Sequence, residues 1–66
     1  MYLVRIVRLY TGEFRVRLQQ RETNVILKTQ AVENLTQARR RAKLWSELYC
    51  DDEGTPCPIE EKLDEP

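Results

Sequence analysis

The stretch FRVRLQQR, residues 14–21, decides how the rest of the chain is read. Phe14, Val16 and Leu18 alternate with Arg15, Arg17 and Gln19. That period of two is the mark of a strand with two unlike faces. One face is apolar and needs a cover. The other carries two arginines and a glutamine, and needs a reason.

Upstream, Tyr2 to Tyr10 is rich in Val, Ile, Leu and Tyr and reads as a strand. The short turn Thr11-Gly12-Glu13 joins it to the strand Phe14–Gln20. Downstream, Arg21–Asn24 makes a second tight connection into a strand over Val25–Gln30. Three strands joined by short turns form an antiparallel meander. The period then changes. Leu35, Ala38, Ala42, Trp45 and Tyr49 recur at spacings of 3 and 4, one stripe of an amphipathic helix, and Leu48 widens it. Asn34 is a good N-cap, and Gln37 three residues on completes a pattern like a capping box. Gly54 and Pro56 stop the helix after Cys50.

The predicted architecture is α+β: a three-stranded antiparallel meander packed on one C-terminal helix, followed by an acidic tail. The βββα domain spans residues 1–50. Residues 51–66 are a proline-flanked, partly disordered tail, with only Ile59 and Leu63 as sizeable apolar side chains. The helix stripe should cover Phe14, Val16 and Leu18, leaving Arg15 and Arg17 on an open face.

The first strand fits less well. It is apolar on both faces, with Tyr2, Val4 and Ile6 on one and Leu3, Val7 and Leu9 on the other. In a simple meander it is an edge, and apolar edges find partners. A homodimer through Leu3, Val7 and Leu9 is the favoured expectation. The alternative folds the tail back so that Ile59 and Leu63 cover Leu3 and Val7.

Composition narrows the function. The 66-residue chain has no histidine, which removes Ser–His–Asp and Cys–His arrangements. Carboxylate pairs such as Glu60/Glu61 fall in a segment expected to be exposed, where nothing raises a pKa. With only Gly12 and Gly54, there is no phosphate-cradling glycine motif. The expectation is therefore no enzyme, no catalytic residues, no cofactor and no small-molecule substrate. Free thiols at Cys50 and Cys57 are favoured in a reducing compartment; a disulfide between them is the alternative, and a metal site would need completing across a dimer. No apolar run reaches the roughly 20 residues of a membrane span. Arginines interrupt the first ten residues, unlike a signal-peptide core. A cytoplasmic protein is expected.

Charge is uneven behind a net of zero. Residues 1–49 carry +6 and residues 50–66 carry −6. A basic region of that kind suits nucleic acid. Arg15, Arg17 and Gln19 in a row suit base edges in a major groove, where arginine pairs with guanine and glutamine with adenine. Arg39, Arg40 and Lys43 are candidate phosphate contacts from the helix. Few aromatics are free for stacking, so duplex DNA is preferred to single strands. The competing expectation is a protein-interaction module, antitoxin-like or a phage or mobile-element adaptor. It would use the apolar face of the first strand or the acidic tail. A plainer account is that the arginines keep an open sheet face soluble.

The order strand–strand–strand–helix, with the Arg15/Arg17 row, resembles the arm-site-binding domains of phage and transposon integrases. That resemblance covers residues 2–49 and implies a sheet laid on the major groove. The run LTQARRRAKLWSELYCDDEGTPCP, residues 35–58, is similar to the helix of HicB-type antitoxins, which implies a toxin partner and dimerisation. The stretch LQQRETN, residues 18–24, departs from the Pro-Asp-rich loop of those antitoxins.

Overall fold

The computed structural model describes residues 1–63; the last three residues of the acidic tail lie outside them. The elements are β1 (Tyr2–Arg8), β2 (Phe14–Gln20), β3 (Ile26–Val32), α1 (Leu35–Leu48) and β4 (Ile59–Lys62). They form a four-stranded mixed sheet in the order β3-β2-β1-β4, with α1 lying on one face.

The meander forms as its alternation predicts. β1 pairs antiparallel with β2, and β2 with β3. Gly12 (φ 88°) and Asn24 (φ 60°) take the left-handed conformation in the two turns. These are positions where a β-branched residue would be strained. The third strand begins one residue later than the pattern suggests and runs on to Val32. The helix starts at its predicted cap. Asn34 Oδ1 accepts the Gln37 backbone N–H at 2.9 Å, while Gln37 Oε1 accepts the backbone N–H of Glu33 rather than that of Asn34.

The core lies between α1 and one sheet face. Val4 and Ile6 of β1 and Val16 and Leu18 of β2 are buried against Ala38, Ala42 and Trp45. The two alanines bring helix and sheet close together. Trp45 is buried, with Lys28 Nζ of β3 held 5.9 Å above its ring centroid. Such a cation–π contact anchors the edge of the core.

Two expectations are corrected. The helix is not the last element, and β1 is not an edge. β4 pairs parallel with β1, Val4 opposite Ile59 through Val7 opposite Lys62. An apolar strand with two interior faces gains most by filling both of its hydrogen-bond ladders, and the tail supplies the second. The tail thus returns to β1, but by backbone pairing. Ile59 and Leu63 do not cover Leu3 and Val7. Leu63 packs against the core on the helix side, and Ile59 stays largely exposed.

Three contacts hold this return. The Cys57 N–H donates to the Ser46 carbonyl, and the buried Ser46 hydroxyl donates to the Cys57 carbonyl. The Val4 N–H donates to the Pro58 carbonyl at 3.0 Å. Across β4, Glu61 receives a two-pronged contact from Arg39 Nε and Nη2 at 3.0 and 3.2 Å. The acidic run before β4 is itself structural: Asp51 Oδ1 accepts the N–H groups of Glu53 and Thr55, and Gly54 (φ 83°) completes the bend. Cys57 is buried and Cys50 exposed, both as free thiols.

Ser46→Ala leaves the buried Cys57 carbonyl short of a donor, which costs about 1–3 kcal/mol. Urea unfolding should show that loss, with faster amide exchange in residues 57–62 than in β2.

The Arg39 contact gives a pH signature. The Arg39 guanidinium holds the Glu61 carboxyl below its ordinary range. A lowered folded pKa contributes stability at pH values above the unfolded pKa and loses it as pH falls through the folded one. Glu22 is also lowered, chiefly by a hydrogen bond from its own backbone N–H. Glu61→Gln should therefore reduce, without abolishing, the acid-side slope of stability below the ordinary glutamate value of 4.5. Glu22→Gln should remove a separate part of it.

Candidate nucleic-acid interface

The sheet face away from α1 is open. On β1 it carries Leu3, Arg5 and Val7, and on β2 Arg15, Arg17 and Gln19. The register places Leu3 opposite Gln19, Arg5 opposite Arg17 and Val7 opposite Arg15. β4 adds Glu60 beside Arg5 and Lys62 beside Val7. β3 adds Thr29 and Ala31 beside Arg17 and Arg15.

The electrostatics of this face are unusual for a structural sheet. Like charges directly across an antiparallel pair are destabilising. Arg5 and Arg17 nonetheless sit opposite one another. Glu60 relieves one side, accepting contacts from Arg5 Nη2 at 3.2 Å and Lys62 Nζ at 3.4 Å. Among the described residues, Arg15 and Arg17 have no ion pair. The Nε atoms of Arg5 and Arg15 are buried without a hydrogen-bond partner there. Val7, between these arginines on the same face, is only 6% exposed.

A depression on this face is lined by Arg5, Val7, Arg8, Tyr10, Arg17 and Lys62, among others. Four of those six side chains are cationic. Tyr10, 91% exposed, stands at its rim with its ring free. Tyr2, by contrast, packs edge-on against Tyr49 at 5.6 Å. Arg8 and Lys62 were not singled out by sequence pattern as site residues. Their positions depend on the β1–β4 pairing and on the first turn.

The other expected site residues separate. Gln19 is 3% exposed, and its Nε2 donates to Asn24 Oδ1 at 3.3 Å. It holds the β2–β3 turn and has no amide free for a base edge. Arg39 is engaged by Glu61. Arg40 and Lys43 are exposed on α1, in the other layer of the molecule. The sheet arginines and the helix cations therefore face opposite sides, and one straight duplex on the open face does not meet both. Leu3 is half-buried and Val7 buried on a strand paired along both edges, and Leu9 is half-buried just beyond its end.

Among the described residues there is no cluster of three or more metal-ligating side chains. None of their helices is long and apolar enough to cross a membrane. No protein-family model matches the chain, and searches of the curated proteins and of the solved structures find no significant match.

Arg17→Thr replaces the like-charge opposition to Arg5 and sets a threonine beside Thr29. It should raise stability by about 0.2–1 kcal/mol. The gain should shrink with added salt, measured by thermal unfolding at low and high ionic strength.

Proposed function

We propose that this is a small non-enzymatic accessory protein, acting in the cytoplasm, that binds duplex nucleic acid through the open face of its sheet. The observation that carries this reading is the cross-strand pair Arg5/Arg17 with Arg15 beside it. The fold tolerates this concentration of like charge and gives Arg15 and Arg17 no carboxylate among the described residues. A polyanion relieves the repulsion. Arginine suits this role because its planar fork binds phosphate in two places at once.

The division of labour follows from the geometry. Arg15 and Arg17, at the centre of the sheet, approach the groove. Arg5 and Lys62 line one side and contact the backbone. Tyr10 offers a ring at the turn. Glu60 holds Arg5 and Lys62 while the face is empty and competes with phosphate for them. The helix cations Arg40 and Lys43 contribute to the long-range field and not to the same contact.

The test is fluorescence anisotropy with a labelled mixed-sequence duplex at several salt concentrations. Binding should be salt-sensitive, with weak affinity typical of backbone contacts. Arg15→Ala with Arg17→Ala should weaken binding and flatten its log–log salt dependence. Glu60→Gln should tighten binding, and Arg40→Ala with Lys43→Ala should leave the slope almost unchanged. Binding that ignores the Arg15/Arg17 substitution makes the arginine face a solubility device.

A further inference from the structure

The β1 edge is closed, yet the molecule keeps one long open edge. β3 is seven residues long and has β2 on one side only. The opposite edge, β4, is four residues long and carries Glu60, Glu61 and Lys62. Short, charged edges resist further pairing, whereas long edges with few charges invite it. β3 has a single charged residue, Lys28.

Exposed apolar surface concentrates on the same side. Val25, Ile26 (50% exposed) and Leu27 lie at the start of β3. Leu44 (45%) and Leu48 (65%) lie one turn apart on the α1 flank. A groove between strand and helix, lined by Gln30, Val32, Gln37, Arg40, Arg41 and Leu44, runs beside the far end of β3. Surface of this kind, rimmed by polar groups, marks an interaction site.

We infer that β3 is a dimer seam, and that its occupant is the β3 of a second copy of this chain. Antiparallel pairing of the two edges about a two-fold axis normal to the sheet joins them into one eight-stranded sheet. The axis keeps both helices on one face and both arginine faces on the other. Three features fit a second copy. A pairing centred near Thr29 sets Leu27 beside Ala31 of the other copy and Lys28 beside Gln30, so no like charges meet. The irregularity in the β2–β3 ladder falls at the Ile26 end, leaving Lys28–Val32 regular. The helix flank is also self-complementary: Arg40 and Arg41 precede Leu44 and Glu47 follows it. Two-fold reversal then brings the arginines of one helix toward the Glu47 end of the other, with the leucines between them. A closed two-fold contact uses each edge once and stops there.

The test needs no nucleic acid and is independent of the binding reading above. Sedimentation equilibrium of the full chain across a dilution series should give twice the chain mass at high concentration. Leu27→Lys with Leu44→Lys changes only exposed positions, so circular dichroism should be unchanged while the dimer is lost. Ile59→Lys, exposed on the opposite edge, should leave the dimer intact. In a mixture of isotope-labelled and unlabelled chains, intermolecular contacts should appear between β3 residues. A wild-type monomer at every concentration overturns the inference. So does a dimer that survives the double substitution, one that Ile59→Lys abolishes, or one whose intermolecular contacts lie outside β3 and the Leu44 flank.

Discussion

The structure depends on β1 having a strand on each side. Val4 and Ile6 are fully buried under the helix, and Val7 is almost closed off on the opposite face. A strand buried on both faces cannot leave its backbone donors and acceptors to water. β2 satisfies one ladder through a turn of a few residues. The other ladder is filled from the far end of the chain, after the helix has crossed the sheet. In so small a domain, whose single core supplies only about 3–5 kcal/mol, that closing strand is part of the fold and not an appendage.

The closing strand is a weak strand by composition, and its place is set by what holds it. Ser46 and Cys57 exchange hydrogen bonds at the helix end, and Pro58 receives the Val4 N–H. Arg39 grips Glu61 on the helix side, and Arg5 and Lys62 grip Glu60 on the open side. Successive residues of β4 thus tie the strand to its sheet neighbour on one face and to the helix on the other. The ion pairs are solvent-exposed and individually weak. Their weight lies in direction, since they fix which side of β4 faces the helix.

The same pairing shapes the open face. It brings Glu60 beside Arg5 and leaves Arg15 and Arg17 without a carboxylate among the described residues. A face kept merely soluble would do better with alternating charge across the strands, which contributes favourably where like charges do not. The opposition of Arg5 and Arg17 is the feature on which the proposed binding reading rests. The zero net charge of the chain conceals this, because its acidic residues lie mainly in turns, on β4 and near the C-terminus.

Period and turn chemistry in the sequence determined the first three strands and the helix. Phe14 to Gln19 alternates strictly, Gly12 and Asn24 sit where the turns need positive φ, and Asn34 caps the helix it precedes. Those signals are local, within reach of a few bonds, so they are readable without the fold. The arginine face was legible for the same reason, since side chains on a strand alternate whatever covers them. The return of the tail was not. Ile-Glu-Glu-Lys has no strand pattern of its own, and only the open ladder of β1 gives it one. The apolar character of β1 on both faces showed that a partner was needed, but not that residues 59–62 would be that partner. Gln19 was misread as a free amide because its burial depends on a turn five residues away. Lys62 joins the site through the β1–β4 pairing, which tertiary structure alone decides.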